Sequence, residues 1–241
     1  MVVIGPDPQR IRRMFHAIAR RYDLANAALS FGVHKRWRSK LIALTKPKPG
    51  DRILDCATGT GDVAIAFKKT VGTSGEVVGT DFCAEMLVHA CQKAVRAKLD
   101  IRFEEVDAMS LPYPDDTFDI TSIAFGIRNV ANPSKVLSEM ARVTKPGGVV
   151  AVLEFGQPLW PGWKQLFEFY SQNIIPRLGG FITGQRWAYH YLEHSSGKFP
   201  CREDFLQLMA QTGKLSDGEY WSLTGGVAYI YIARSVLAHN R

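Results

Sequence analysis

Residues Arg52 to Asp62 read R-I-L-D-C-A-T-G-T-G-D, and this stretch decides the fold. The apolar pair Ile53-Leu54 ends in an acid, Asp55. A turn of small residues follows, from Ala57 to Gly61, and a helical pattern starts at Asp62. A strand that turns sharply into a helix through glycines lets a ligand approach the backbone closely. A second apolar run, Val77-Val78-Gly79-Thr80, ends in Asp81, about where a nucleotide-binding βαβ unit places an acid against a ribose. The stretch predicts a site for an adenosine-containing cofactor.

Gly59-x-Gly61-x-x-Ala64 also fits a loose dinucleotide fingerprint, which keeps an NAD-dependent oxidoreductase as one reading. The acids favour S-adenosylmethionine. Asp55, at the end of the first strand, would repel a pyrophosphate and suits the ammonium of a methionine tail. Phe103 to Ala108 reads as a third strand ending in Asp107, which can accept from an adenine amino group. Three strand ends bearing acids make a poor phosphate site.

At 241 residues, 46% of them hydrophobic, the chain is expected to form one α/β domain with a sizeable core. No apolar run is long enough to span a bilayer. Met1 to Pro6 is too short and too soon broken for a signal peptide. Cys56, Cys83, Cys91 and Cys201 lack metal-ligand spacing. Cys56 and Cys91 fall on apolar patterns and read as buried thiols, as in a reducing cytoplasm. Net charge is +7, with Arg10, Arg12, Arg13, Arg20, Arg21, Lys35, Arg36, Arg38 and Lys40 crowding the N-terminal part. No nucleic-acid-binding motif accompanies them, so the expected partner is an anionic membrane surface rather than nucleic acid.

Asp7-Pro8 starts a helix, and Ile11, Met14, Phe15, Ile18, Ala19 and Tyr22 repeat at helical spacing. A second helix spans about 35–44. From Asp51 to Phe155 strands and helices alternate, which predicts parallel strands with ligands beyond their carboxyl ends. Residues 158–200 break that rhythm with Trp160, Trp163, Phe167, Tyr170, Phe181 and Trp187, and read as a helical insertion over the strand ends. Apolar runs flanking Thr224-Gly225-Gly226 signal a closing antiparallel hairpin, foreign to the dinucleotide fold.

Several further motifs carry a resemblance. They are Phe125-Gly126-Ile127-Arg128-Asn129-Val130, Lys145-Pro146-Gly147-Gly148, Leu153-Glu154-Phe155, Tyr22-Asp23-x-x-Asn26, and Ser30-Phe31-Gly32-x-His34-x-x-Trp37-Arg38. With the glycine turn and Leu223-Thr224-Gly225-Gly226, they resemble the ubiquinone/menaquinone C-methyltransferase family over nearly the whole chain. The resemblance implies a Rossmann-like class I methyltransferase fold: a seven-stranded, mostly parallel sheet closed by a C-terminal antiparallel hairpin. It implies one domain over 1–241, with an N-terminal helical lid (1–46), a cofactor core (50–156), a helical substrate insertion (157–200) and a last helix and hairpin (201–235). It further implies S-adenosylmethionine as cofactor, held by Thr60, Asp81, Asp107 and Ala108. The implied acceptor is a lipophilic prenylated quinol, demethylmenaquinol or the corresponding ubiquinone precursor, met in the cytoplasm at the inner face of the membrane. Family members often have Ser where this chain has Ala124.

Methylating a quinol carbon calls for a group that holds phenolate and a route for protons. Arg128, just after the fourth strand, is the candidate for the first. Tyr22, Asp23 and His34 are candidate proton acceptors. His190-Tyr191-Leu192-Glu193-His194 matches a zinc-protease pattern, but nothing supplies a third ligand, and no metal is expected. A non-catalytic methyltransferase-like scaffold is the remaining alternative.

Overall fold

A computed structural model describes residues 5–236. Met1 to Ile4, on which the signal-peptide reading rests, lie outside them. Five strands run parallel: β1 (Arg52–Cys56), β2 (Glu76–Asp81), β3 (Arg102–Glu105), β4 (Phe118–Ala124) and β5 (Thr144–Phe155). The last two, β6 (Leu215–Leu223) and β7 (Ala228–Ser235), form the antiparallel hairpin, and β7 pairs with β5. The sheet order β3-β2-β1-β4-β5-β7-β6 has two consequences. The order reverses at β1, so the chain diverges between β1 and β4 and leaves a crevice beyond their carboxyl ends. The hairpin is what separates this sheet from six parallel strands.

Helices cover both faces. α4 (Asp62–Val71) and α5 (Ala84–Arg96) cross over between the first strands, and α6 (Pro133–Val143) precedes β5. Asn132 caps α6 by accepting from the Lys135 amide, and Pro133 occupies its first turn. On one face Leu54, Val78, Ile123, Val150 and Val152 pack under α6 residues Val136, Leu137 and Met140 and under α10 (Glu203–Ala210). On the other, Ile53, Val77, Ile120 and Ala151 meet Val63, Phe67 and Val71 of α4, with Trp37 and Leu41 of α3 (Val33–Thr45). α5 buries Met86, Leu87, Ala90 and Ala94. Cys91 sits one step round from that stripe and is exposed, which corrects its reading as a buried thiol.

Gly61, at φ +80, starts α4. A Cβ there would lie 3.0 Å from Ala90 and 3.1 Å from the Phe103 ring, so α5 and β3 crowd the turn. Gly79 in β2 has the same neighbour, since a Cβ would meet Phe103 at 2.7 Å.

Two additions flank this core. α1 (Pro8–Ile18) and α2 (Tyr22–Leu29) precede it; the Asp7 carboxylate caps α1 through the Gln9 amide. The second is a helical run of α7 (Pro161–Phe169), a π-helical turn at Tyr170–Ile174, and α8 (Ile175–Thr183), followed by α9 (Arg186–Lys198). Ile11, Met14, Ile18, Ala25 and Leu29 of the first addition pack on Ala188, Tyr189, Ile175 and Leu178 of the second. Each such side chain, fully buried, contributes roughly 1.5–3 kcal/mol. The two additions therefore hold one another over the strand ends.

Candidate active site

Two cavities open beyond the strand ends. The smaller, about 70 Å³, is walled by Gly59, Asp81, Phe82, Met86, Val106, Asp107, Ala108, Ala124 and Gly126, with Pro8 and Phe15 of α1 across it. The larger, about 500 Å³, is mostly apolar. Its wall includes Trp37, Phe155, Trp163, Phe167 and Tyr170, with His34, Arg38 and Arg128 among its few charged or titratable members. Phe15, Tyr22 and Phe125 belong to both walls, so the two spaces meet at three aromatic rings.

Asp81 is the fixed point of the smaller cleft. One carboxylate oxygen accepts from the Gly59 amide at 2.9 Å and the other from the Cys83 amide at 2.9 Å. Each oxygen keeps a lone pair free, enough for two adjacent hydroxyls. Burial pushes its pKa up to about 6, against the opposing pull of those amides. Met86 and Val106 give the cleft apolar sides, while Asp107 and Ala108 lie at the end of the β3 loop. A ribose on Asp81 with an adenine between apolar walls suits this donor and acceptor set; a pyrophosphate does not.

The structure brings Gly59, Asp81, Asp107 and Ala108 to the cleft wall and leaves three expected contacts behind it. Asp55 is 1% exposed. Parallel register sets it opposite Ser122, whose hydroxyl donates to it at 2.7 Å, and Thr58 donates at 2.6 Å. Burial raises its pKa to about 6. It braces the turn rather than facing an ammonium. Gly61 serves packing, as above. Thr60 is buried, and its hydroxyl donates at 2.6 Å to Asp23 of α2.

That last contact belongs to a network that sequence reasoning missed. Lys93 of α5 donates to Asp23 at 3.0 Å, to Thr60 at 3.1 Å and to Asp62, and Asp62 also pairs with Arg38. Burial alone would raise the Asp62 pKa, but Arg38 and Lys93 hold it below the usual carboxylate value. Asp23 therefore latches α2 to the glycine turn and is absent from the larger cavity's wall. Lys93 reads in sequence as one charge on a solvated helix face, and nothing local marks it otherwise.

Arg128 does line the larger cavity, and its partner is buried rather than at the surface. Its Nη1 donates to Glu154 at 2.6 Å and to the Phe125 carbonyl at 2.7 Å, and its guanidinium lies 5.1 Å from the Phe155 ring centre. The pair is neutral overall, so Arg128 offers aimed donors more than net charge. Its Nε is buried without a partner among the described residues. Phe125 itself has φ +58, strained for a bulky side chain, and is held there by the Arg128 and Asn129 side chains on its carbonyl. Phe125 and Phe15 were missed as site residues because an aromatic at helical or strand-end spacing looks like core.

His34 and Tyr22 also reach the larger cavity. The H-x-x-E-H run lies along α9, and among the described residues no three His, Cys, Asp or Glu side chains converge to hold a metal ion.

A Rossmann-like sheet closed by an antiparallel hairpin, with an acid at the end of β2 facing a cleft beyond the strand ends, defines an S-adenosylmethionine-dependent class I methyltransferase. The chain belongs to the ubiE/COQ5 methyltransferase family, whose model matches residues 4–235. It is 58% identical over 94% of its length to the ubiquinone/menaquinone biosynthesis C-methyltransferase UbiE of Bdellovibrio bacteriovorus, covering 96% of that protein. It is 45% identical over 91% of its length to the demethylmenaquinone methyltransferase of Thermus thermophilus, covering 98% of that protein. Among solved structures, a SAM-dependent methyltransferase from Aquifex aeolicus shares the fold, with a TM-score of 0.59 and 21% identity over 83% of this chain and 89% of that one. The protein is thus an enzyme that uses S-adenosylmethionine, and the NAD-dependent and scaffold readings fall.

Proposed function

We propose that the chain methylates a ring carbon of a prenylated quinol, with demethylmenaquinol as the acceptor, and the 2-methoxy-6-polyprenyl-benzoquinol precursor of ubiquinone as the alternative. The observation that carries this reading is the meeting of a ribose-holding cleft with an apolar cavity of about 500 Å³ at Phe15, Tyr22 and Phe125. The relatives named above act on quinones by their names.

S-adenosylmethionine supplies an activated methyl group. The chain's own residues then do the rest. Asp81 holds the ribose, with Asp107 and Ala108 beside the adenine. Arg128 turns its spare donors to the oxygen of the acceptor's phenolate, which makes the neighbouring carbon nucleophilic. The aromatic collar excludes water where the methyl group crosses. Asp23 keeps the lid on the glycine turn. The cleft as it stands is tight for a nucleoside, so Pro8 and Phe15 yield when the cofactor enters.

The isoprenoid tail leaves through the mouth of the larger cavity. Phe31 and Leu166 belong both to its wall and to the open surface, Phe31 being 81% exposed. Trp160, Phe169 and Phe181, the last 87% exposed, are further apolar side chains exposed on the insertion. No helix among the described residues is long and apolar enough to cross a membrane. Reversible contact with anionic lipid at the cytoplasmic face, through these rings and the N-terminal arginines, fits substrate pickup from a bilayer. Incubation with methyl-labelled S-adenosylmethionine and each demethyl quinol, read by mass spectrometry, tests the proposal. Label on neither quinol, with cofactor still bound, refutes it.

A further inference from the structure

Several polar groups in the wall of the larger cavity are held by partners. Trp37 donates to the Thr224 hydroxyl, Trp163 to the Thr224 carbonyl, and Tyr170 to the Leu29 carbonyl. One exception is the outer nitrogen of His34. The ring sits in the first turn of α3, 7% exposed, and among the described residues nothing bonds its Nε2.

Its other nitrogen decides what that Nε2 can do. His34 Nδ1 lies 2.5 Å from the Ser30 hydroxyl oxygen. The same hydroxyl lies 2.6 Å from the Asn26 carbonyl. A hydroxyl has one proton, and a carbonyl can only accept, so the Ser30 proton goes to Asn26. The hydrogen on the ring contact must then come from Nδ1. This fixes the imidazole as the Nδ1–H tautomer and leaves a lone pair on Nε2. The ring is also neutral: burial, then the nearby Arg38, pulls its pKa down to about 4, with Lys35 adding to the effect and Asp62 and Asp23 opposing it.

We propose that His34 Nε2 accepts the hydroxyl proton of the aromatic acceptor as a hydrogen bond, and that Ser30, anchored on the Asn26 carbonyl, is the positioning residue that sets the tautomer. The assignment deepens the quinol reading and rests on it for the ligand. Arg128 and His34 then form a complementary pair in a mostly apolar wall that also holds Arg38, Tyr22 and Asn26: donors for the oxygen that has lost its proton, and an acceptor for one that has kept it. An acceptor whose hydroxyl is capped as a methyl ether presents no proton to His34 and leaves a buried lone pair unmatched, which such sites reject strongly.

The test uses the full chain with selectively ¹⁵N-labelled histidine. In the wild type the His34 ring should show the Nδ1–H pattern, and Ser30→Ala should abolish or mix it, while Ser30→Thr restores it. Titration with 1-naphthol should move the Nε2 resonance, and 1-methoxynaphthalene should not. Both readouts are independent of turnover, so they stand even if neither demethyl quinol is methylated, which would refute the quinol reading alone. In turnover assays His34→Gln, which keeps an acceptor near that position, should retain kcat/KM within roughly tenfold, the worth of one neutral hydrogen bond. His34→Leu should lose more, and cofactor affinity should hold in both. An Nε2–H tautomer in the wild type, or equal shifts with naphthol and its ether, would overturn the assignment. So would a His34→Leu enzyme running at the wild-type rate.

Discussion

Removing the Arg128 side chain should unfold the protein at a much lower temperature as well as slow it. Glu154 is 1% exposed, and its carboxylate takes a 2.6 Å bond from Arg128. Arg128→Met leaves that carboxylate with only the Phe155 amide at 2.8 Å and the residue-128 amide at 3.3 Å. Breaking one side of such a buried pair costs about 3–5 kcal/mol. For a chain of this size each kcal/mol moves the midpoint roughly 2–4 °C, so the fall is roughly 6–20 °C. Replacing both partners, as Arg128→Met/Glu154→Leu, removes the stranded charge and should recover most of the loss, because an apolar pair of similar volume is often neutral. Yet the double variant should remain inactive, since the donors proposed to hold the phenolate are gone. Calorimetric unfolding of the wild type, both singles and the double closes the cycle. Thermal midpoints within about 2 °C for wild type and Arg128→Met, or a double no more stable than the single, would refute the buried-pair account. A double variant with wild-type turnover would remove Arg128 from the mechanism.

Five further outcomes are expected. Asp81→Ala should weaken S-adenosylmethionine binding by roughly one to two decades, measured by calorimetry. In the wild type the affinity should fall as pH drops below about 6, where the carboxylate gains its proton and becomes a weaker acceptor for the hydroxyls. His34, held down to about 4 from its ordinary 6.5, gives stability that is complete above 6.5 and lost as pH falls toward 4; that slope should shrink in His34→Gln, read by denaturant melts across this window. Asp23→Ala should change global stability by less than about 1 kcal/mol, since the contact is half exposed, but should speed proteolytic nicking of α1 and α2. Anionic vesicles should sediment the protein at low salt, and a Trp160→Ala/Phe181→Ala variant should stay in the supernatant; equal sedimentation of the two would move the lipid contact elsewhere.

The glycine turn and the strand that Asp81 ends were legible because each is a local pattern, and Asp81 stands in the wall of the smaller cleft. Asp55 lies behind the cleft wall for a non-local reason. Its role depends on register with Ser122, 67 residues away, and no window around residue 55 contains that partner. Asp23 and Thr60 were each picked out, but for different tasks, and only the docking of α2 on the turn shows that they bond one another. The aromatic insertion was legible as a cover and not as two faces: Trp163 bonds inward to the Thr224 carbonyl, while Trp160, three residues earlier, stands 71% exposed. Composition marks both alike; Trp160 precedes α7 in extended backbone, while Trp163 lies in its first turn.

The mutual packing of α1–α2 on α8–α9 also bears on synthesis. The apolar stripe of Ile11, Met14 and Ile18 emerges from the ribosome long before its main partners, because Ile175, Leu178 and Tyr189 are encoded far downstream. At roughly 5–20 residues per second the wait lasts on the order of ten to thirty seconds. During that interval the nascent chain can build its sheet from β1 to β5 while the first helices dock only on the turn and α5, through contacts such as Phe15 and Tyr22 on Met86. The acceptor cavity is then among the last features to form, and a stalled or truncated chain ending before α8 would carry a cofactor cleft, a bare hydrophobic arm, and an address for chaperones.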